Sequence, residues 1–490
     1  MQVIERDDAV GADPPQLGDH TTRLRSTLRS LLPDRTSVLS TVALWLPMFG
    51  WLLLFQPGMV SPDSLSVWNQ VRTGVWTDAH PPLYTAAMWV SRAITGDPSL
   101  LTALQGLLLA AGIVACARSL IRLGAPRIGT AVVATVLAWS PMIGAFSVSL
   151  WKDVPYAGAF LFAAARSVDL ITAHLRGAAS TRAVVSLAVW SSALVLLRQN
   201  GFLLVGVLLV GLIVGLRGRR RQLLICLACP ILVLAVAKFV VYPAVGIRPA
   251  DSNVTIANLL HDIAAQIDRD PGALQPHERA ALEQLAPLEV WSSTFRTSGC
   301  WSQNWQFDPR FRWDRVSAVR GRLIKTWARL ALEHPIVELR NRACVSAIAW
   351  SPFPVGPSYT VERAIAPNDD GLKLQSISDA ATSRAVDLLT ELDRQPAQAV
   401  LWRAPGWMLL AAASVATAAF RARRPILLMV LLPLGAFVAS VAPVVPSQDA
   451  RYMMPALMLA VLMLPVGWRR PAPTDQRDAG TGASPRRTGP

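Results

Sequence analysis

The feature that most constrains this chain is a series of apolar runs separated by short clusters of arginine. A helix that crosses a bilayer needs about 20 predominantly apolar residues. Runs near that length lie at 38–57, 99–119, 128–148, 154–172, 222–244, 400–420, 425–445 and 450–468, and two shorter runs lie at 183–197 and 201–216. The pattern predicts an all-α polytopic membrane protein with about ten transmembrane helices.

The arginines predict how these helices are oriented, because cytoplasmic loops are enriched in Lys and Arg. With ten spans, all of the clusters fall on one face, so both termini are predicted to be cytoplasmic. The clusters are Arg23, Arg25, Arg29 and Arg35, then Arg118, Arg122 and Arg127, then Arg176 and Arg182, then Arg217, Arg219, Arg220 and Arg221, then Arg421, Arg423 and Arg424, and finally Arg469 and Arg470.

The net charge of +15 follows from this topology. A nucleic-acid-binding protein gathers its positive charge on one domain or one helix face, whereas this chain spreads it over the loops between apolar runs. Only 16% of the residues are charged, whereas soluble proteins carry about 25%. We therefore exclude nucleic acid as a partner and predict that the lipid bilayer surrounds most of the chain.

The chain divides into five predicted segments. The polar tails at 1–37 and 469–490 are predicted to be disordered on the cytoplasmic side. Transmembrane helices occupy 38–246 and 399–468, and the polar region at 247–398 is predicted to be one mainly helical extracytoplasmic domain.

Further helices are predicted outside the spans. In the first outer loop, 58–98, the apolar stretch 81–97 is short and contains Arg92, and counting it as a span would move later arginine clusters to the other face. It is predicted to be an interfacial or re-entrant helix on the outer face. In the polar region, apolar periodicity predicts helices over 262–267, 277–285 and 316–333.

The five cysteines show no metal-ligand spacing. Cys226 and Cys229 lie inside an apolar run, which favours a packing role. Cys300 and Cys344 fall in the polar region, where they either form a disulfide, if that region faces an oxidising compartment, or remain free.

Polar residues outside the basic clusters collect on the predicted outer face. In the first outer loop, Asp63 follows Ser61 and Pro62, and Asp78 and His80 precede a pair of prolines. Two interpretations are open for these residues. They either take part in chemistry or complete helix N-termini, because Ser caps a helix, Pro suits its first position and an acid there favours the helix dipole.

The next two outer loops each contribute a cation. Lys152, beside Asp153, stands outside against the charge rule, so it either forms an interfacial ion pair or binds an anionic partner. Arg198, followed by Asn200, lies at the tip of a tight hairpin between two short spans. A polar tip at membrane depth is costly unless it lines a polar cavity, which favours a function there, with phosphate or sugar hydroxyls as the ligands.

The last outer loop contains Asp449, Arg451 and Tyr452. Arg451 either pairs with Asp449 or binds phosphate oxygens bidentately through its planar guanidinium. Together, the outer loops place carboxylates, a histidine and three cations on one face. This combination suits transfer of a group from a lipid-linked phosphate, because cations stabilise the departing phosphate and a carboxylate accepts a proton from the acceptor.

The order of these motifs resembles the GT-C superfamily of membrane glycosyltransferases, which use polyprenyl-phosphate sugars as donors. The matching stretches are Asp63 after the first span, Asp78-Ala79-His80-Pro81-Pro82-Leu83-Tyr84 at the start of a membrane-parallel helix, Arg198-Gln199-Asn200-Gly201 at a turn, and Arg451-Tyr452 with Pro455 near the last span. The polar region, with Leu260-His261-Asp262-Ile263-Ala264, Trp291 and Glu333-His334-Pro335, is similar to one poorly characterised bacterial branch.

The resemblance implies a role for each candidate residue. Asp63 would act as the catalytic base or orient the acceptor, with Asp78 and His80 supporting it. The donor phosphate would be held by Lys152, Arg198 and Arg451, and the substrate would be contacted by Asn200, Asp153 and Tyr452. Many members have a second acid after the first, where this chain has Ser64. This departure favours a mechanism without a metal, so no cofactor is predicted, although a divalent metal stays an alternative.

The leading hypothesis is an inverting glycosyltransferase that moves a sugar from a polyprenyl-phosphate donor to a cell-envelope glycan, lipid or protein. The alternative is a transporter or flippase for a lipid-linked or anionic substrate, although Arg166, Asp169 and Lys238 lie towards span ends rather than at the midplane, where transporters bind. A third hypothesis is a non-catalytic envelope protein whose outer domain binds glycans through its tryptophans.

Overall fold

The structure is a computed structural model that describes residues 34–178, 180–250 and 256–469. Within these ranges the chain is helical, with isolated β-bridges but no β-strand. The prediction of an all-helical chain is confirmed. The predicted disordered tails fall almost wholly outside the described residues, as do Arg23, Arg25, Arg29 and Arg470.

The helices are numbered here in chain order. They are α1 (Arg35–Leu54), α2 (Pro62–Thr73), α3 (Pro82–Thr95), α4 (Ser99–Leu123), α5 (Arg127–Trp139), α6 (Pro141–Val148), α7 (Asp153–Leu175), α8 (Thr181–Leu197), α9 (Gly201–Gly215), α10 (Arg217–Ala244), α11 (Ala257–Arg269), α12 (Pro276–Glu283), α13 (Leu288–Ser298), α14 (Val316–Glu333), α15 (Pro335–Val345), α16 (Asp379–Leu392), α17 (Ala397–Leu401), α18 (Ala404–Ala422), α19 (Pro425–Val441) and α20 (Met454–Trp468).

Every predicted span coincides with a helix or with the bent pair α5–α6. Among the described residues, α1, α4, α7 and α10 are long and apolar enough to cross a membrane, and the pair α5–α6, bent by 57°, would make a fifth. The apolar helices α8, α9, α19 and α20 are shorter. Several helices can therefore cross a membrane, while the count of ten spans stays a prediction.

Helices α4 and α7 form the centre of the bundle, and glycines allow their close approach. A Cβ added at Gly112 would lie 3.0 Å from the carbonyl oxygen of Gly158, and one added at Gly158 would lie 2.9 Å from Leu108 Cγ. Small residues let helix backbones pack closely without a hydrophobic driving force from water. A side chain at either glycine would require atoms of the neighbouring helix to shift.

The described arginines of the predicted cytoplasmic clusters meet at one end of the bundle. Arg118 Nη1 lies 2.7 Å from Asp34 Oδ1, before α1, and Arg122 Nη2 lies 2.7 Å from Asp169 Oδ1, near the end of α7. Arg469, after α20, donates from Nε to the carbonyl of the last residue of α4 at 2.7 Å. The start of α1 and the ends of α4, α7 and α20 therefore lie together.

The polar region contains two differently packed parts. Helices α11 to α15 enclose a core of their own, which includes Leu260, Trp291 and Leu323. By contrast, Ile348 and Leu389 belong to the core of the membrane helices. We call residues 256–345 the outer unit. The helices predicted at 262–267, 277–285 and 316–333 are confirmed as α11, α12 and α14.

A disulfide joins Cys300, after α13, to Cys344 in α15. Of the two alternatives left open for these cysteines, a disulfide or free thiols, the structure has the disulfide. Replacing both with serine is expected to lower the stability of the outer unit by about 2–5 kcal/mol, because the unfolded chain regains the freedom that the link removes. Limited proteolysis of the protein in nanodiscs measures the change, with Cys229→Ser, a half-buried free cysteine, as the control. Equal protection of both variants would contradict this expectation.

Candidate active site

Four distant stretches of the chain are joined by backbone hydrogen bonds at the end of the bundle where α7 begins, opposite the arginine end. The bonds run from Leu150 N–H to Met59 O (2.9 Å), from Ala366 N–H to Val60 O (2.8 Å) and from Ala450 N–H to Tyr359 O (2.8 Å). They place the polar side chains that follow each stretch next to one another. We call the following residues the outer cluster: Asp63, His80, Lys152, Asp153, Arg198, Tyr359, Glu362, Asp449, Arg451 and Tyr452.

Asp63 lies in the first turn of α2, but serines cap that helix. The Ser61 and Ser64 side chains form a capping box, which satisfies free N–H groups of the first turn. Trp151 Nε1 donates to Ser61 Oγ at 3.0 Å, and Ser64 Oγ donates to the Leu150 carbonyl at 2.7 Å. These bonds fix the start of α2 against the second outer loop and leave the Asp63 carboxylate to point into the cluster.

Arg451 is the cation that links the carboxylates of the cluster. Its Nη1 lies 2.9 Å from Asp63 Oδ2, and its Nε lies 2.7 Å from Asp449 Oδ2. The guanidinium also lies over the rings of Trp151 and Tyr452, 5.1 Å from each centroid. The Asp449 side chain is 2% exposed and that of Asp63 is 52% exposed. Arg451 therefore has one buried partner, Asp449, and one exposed partner, Asp63, which a ligand can displace.

The two acids that contact Arg451 differ in protonation. Desolvation favours the neutral form of the Asp63 carboxyl, but the charges of Arg451 and Lys152 outweigh it and lower its pKa below the ordinary value. Burial raises the pKa of Asp449 to about 7, against the opposing charge of Arg451. Asp63 is therefore ionised at neutral pH, whereas Asp449 changes its charge near pH 7.

Lys152 and His80 form the second polar contact of the cluster, with Lys152 Nζ 3.3 Å from His80 Nδ1. Burial and the charge of Lys152 lower the pKa of His80 to about 4, so its ring is neutral at pH 7. Since an ammonium can only donate, Nδ1 accepts this bond and the ring proton lies on Nε2. Burial also lowers the pKa of Lys152.

Arg198 is the cation that the hairpin loop contributes to the outer cluster, and its side chain is nearly buried. Its Nη1 is 2.8 Å from Asp153 Oδ1, and the two side chains are 10% and 2% exposed. The guanidinium lies between the rings of Tyr156 and Tyr452, at 5.5 and 5.0 Å from their centroids. Arg198 is therefore held by an acid and two aromatic rings, and it is not among the residues that line the cleft.

A small cleft opens between these groups. Its walls include Asp63, His80, Tyr84, Lys152 and Arg451. The Tyr84 side chain is buried, and its hydroxyl has no hydrogen-bond partner within the described part of the chain. A buried hydroxyl without a partner is costly. Its position on the cleft wall indicates a place for a polar ligand atom.

Tyr359 and Glu362 belong to the outer cluster although no sequence pattern pointed to them. Tyr359 is bonded to the last outer loop through Ala450, and Ala364 accepts a hydrogen bond from Val60 N–H at 3.1 Å. Glu362 lies between these two attachment points, within electrostatic range of Arg451 and Asp63, and burial raises its pKa. The surrounding stretch is irregular, so no periodic pattern marks it as part of a site.

Asp78 and Asn200 are not among the residues that line the cleft, and their part in the site stays a prediction. Asp78 Oδ1 accepts the Ala250 N–H at 2.6 Å, its Oδ2 is 4.0 Å from Lys238 Nζ, and its carbonyl accepts Gln199 Nε2 at 2.9 Å. These bonds fasten the first outer loop to the start of the polar region. Asn200 precedes α9 without capping it through its side chain.

In the described ranges, no group of three His, Cys, Asp or Glu side chains is placed to hold a metal ion. The cleft wall provides two cations, Lys152 and Arg451, together with the ionised Asp63 carboxylate and the neutral His80 ring. Such an arrangement can bind an anion and accept a proton from a hydroxyl beside it.

Comparison with known proteins shows one family to which the chain is similar. A sequence model of a family of unknown function, DUF6020, matches residues 66–480. The matched range contains every residue of the outer cluster except Asp63. The chain matches no curated protein and no solved structure.

Proposed function

Because the chain belongs to DUF6020, a family of unknown function, its activity has to be inferred from its own residues, and we propose that it is a membrane glycosyltransferase. It moves a sugar from a polyprenyl-phosphate donor to a hydroxyl of a cell-envelope glycan, lipid or protein. The resemblance of its outer motifs to the GT-C superfamily supports this class. The observation that carries the proposal is Arg451, held by buried Asp449 and shared with half-exposed Asp63.

The proposed topology puts this chemistry outside the cytoplasm of a multi-pass protein in the cell membrane, with ten spans and both termini inside. The contacts among Arg118, Arg122 and Arg469 at one end of the bundle support a common inner face. The Cys300–Cys344 disulfide supports an oxidising environment for the outer unit. The outer cluster lies at the end of α7 opposite those arginines.

The donor phosphate binds between Lys152 and Arg451. Both line the cleft, and the planar guanidinium of Arg451 can form two parallel hydrogen bonds to phosphate oxygens. An arriving phosphate displaces the half-exposed Asp63 carboxylate, since Asp449 remains to hold Arg451 in place. Arg198 acts indirectly, by fixing Tyr452 and the cleft-lining Asp153.

Displacement of Asp63 prepares the transfer step. Once Arg451 contacts the phosphate, Asp63 loses the cation that keeps its pKa low and becomes a better base. The acceptor oxygen attacks the anomeric carbon, the bond from that carbon to the phosphate oxygen breaks, and the acceptor proton passes to Asp63. The polyprenyl phosphate leaves with both electrons of the broken bond, and Lys152 and Arg451 stabilise its charge.

A direct assay tests this function. The purified protein in nanodiscs is incubated with radiolabelled polyprenyl-phosphate sugars and an envelope lipid and glycan extract. We expect label to move to the acceptor and polyprenyl phosphate to be released. A flippase would instead move intact donor between leaflets of a vesicle without cleaving it, and that result, with no transfer, would contradict the proposal.

The protonation of Asp449 predicts a pH dependence of donor binding. Below about pH 7 this acid is neutral, so the positive charge of Arg451 is less compensated and attracts the phosphate more strongly. We expect KM for the donor to rise as the pH increases through 7, and Asp449→Asn to remove this dependence. A KM profile that keeps the same rise in Asp449→Asn would exclude Asp449 as its origin.

A further inference from the structure

Helix α15 of the outer unit has its polar face inside and its apolar face outside. Inward, Asn341 Nδ2 donates to Asp262 Oδ1 at 2.7 Å, and Arg342 pairs with the same buried carboxylate. Outward, Ile336 and Leu339 are 63% and 67% exposed. A helix on the surface of a water-soluble domain shows the opposite arrangement. The outward face of α15 is therefore suited to an apolar environment.

The apolar face of α15 extends beyond the helix in both directions. Leu332, at the end of α14, is 83% exposed. At the other end, Trp350 donates from Nε1 to the Ala343 carbonyl at 3.1 Å, and its ring is exposed. Within α15, positions 336, 339 and 343 follow the spacing that puts side chains on one side of a helix. We call Leu332, Ile336, Leu339, Ala343 and Trp350 the apolar stripe.

The apolar stripe ends beside α18, the helix that coincides with the predicted span at 400–420. Arg403, immediately before α18, donates from Nε to the Ser351 carbonyl at 3.0 Å and from Nη2 to the Ala347 carbonyl at 3.0 Å. These bonds fix Trp350 at the first turn of α18, whose side chains Leu409 and Leu410 are exposed. The stripe therefore leads to exposed apolar side chains of α18.

Basic side chains accompany the stripe. Arg340 on α15 and Arg322 and Lys325 on α14 are exposed. Long basic side chains can lay their apolar stems on a hydrophobic surface and reach outward with their charge. A helix with an apolar face flanked by Arg and Lys is typical of segments that lie in the membrane interface. This pattern favours anionic lipid over a second protein copy.

We propose that the apolar stripe is a lipid-docking surface, which holds the outer unit on the outer leaflet. Helix α15, 11 residues long, lies in the interface with its apolar face inserted to a depth of about 5–10 Å. The proposal rests on the membrane topology given above, but not on sugar transfer. Docking fixes the disulfide-linked outer unit on the membrane surface, beside the cleft into which a lipid-linked donor would enter.

Depth-dependent quenching tests the docking. In a Cys229→Ser background, Ile336→Cys is labelled with an environment-sensitive fluorophore, and the full-length protein is placed in nanodiscs with spin-labelled phosphatidylcholine and anionic lipid. Arg279→Cys, on α12 and 57% exposed before substitution, is the matched control. We expect several-fold stronger quenching at 336 than at 279. Equal quenching at the two positions would overturn the proposal.

A second variant separates lipid docking from self-association. Leu332→Glu with Leu339→Glu places charge in the stripe, and disulfide formation reports whether the outer unit still folds. We expect quenching at 336 to fall to the level at 279 in the folded variant. Energy transfer between labels on two copies, in place of lipid quenching, would contradict docking. Absence of sugar transfer with normal quenching would refute the enzyme and leave the docking surface intact.

Discussion

Asp63→Asn abolishes sugar transfer and leaves the protein folded and inserted, with an expected fall in kcat of about 10²–10⁴-fold, the usual contribution of a general base. Asparagine keeps the shape of the side chain but cannot accept the acceptor's proton. Because serines cap α2 and the Asp63 side chain is 52% exposed, its replacement costs little stability. Single-turnover kinetics with saturating donor measure the chemical step apart from binding.

The matched control for Asp63→Asn is Asp370→Asn. Asp370 Oδ1 lies 2.9 Å from Arg72 Nε, so this variant also breaks an acid–arginine pair of the outer face, but away from the cleft. We expect Asp370→Asn to keep wild-type kcat. Comparable rates in Asp63→Asn and Asp370→Asn would remove Asp63 from the mechanism.

Arg198→Met is expected to cause the largest loss of stability, about 3–5 kcal/mol, because it leaves a buried carboxylate without its partner. Asp153 is 2% exposed, and its Oδ1 is 2.8 Å from Arg198 Nη1. Replacing Arg198 also removes the contacts of its guanidinium with the rings of Tyr156 and Tyr452. Thermal unfolding in detergent, followed by tryptophan fluorescence, measures the change.

The double variant Asp153→Asn with Arg198→Met separates stability from activity. It leaves no buried charge, so most of the stability should return. Activity should remain low, because Tyr452 and the second outer loop lose the group that positions them beside Arg451. A double variant as unstable as Arg198→Met would show that the buried charge is not the cause. Full recovery of activity would contradict the positioning role of Arg198.

The helices of this fold could be predicted because their signals are local. The prediction of a helix at 316–333 agrees with α14 to the residue, since apolar periodicity marks both its ends. The run 128–148 was predicted as one span, but the structure bends it by 57° between α5 and α6. Pro141 lacks the N–H that would continue α5, and Ser140 caps α6 through the Ile143 N–H. The apolar pattern alone does not show this break.

The site could be predicted only in part, because it depends on contacts between distant stretches. Placing Asp63, Lys152 and Arg451 on one face followed from counting spans, and these three residues do line one cleft. Glu362 could not be found, since backbone bonds to distant residues such as Val60 and Ala450 bring its irregular stretch to the outer cluster, and no local pattern shows them. Asp78 was included because the stretch from Asp78 to Tyr84 resembles a GT-C motif, and a motif does not show that its carboxylate accepts the Ala250 N–H.

Photocrosslinking of the donor tests the central claim most directly. A polyprenyl-phosphate sugar analogue with a diazirine next to its phosphate is irradiated with the full-length protein in nanodiscs, and labelled peptides are identified by mass spectrometry. We predict labelling of the peptides that contain Trp151 and Arg451, suppressed by unlabelled polyprenyl phosphate. Labelling confined to the arginine end of the bundle, near Arg118 and Arg122, would contradict a phosphate site in the outer cluster.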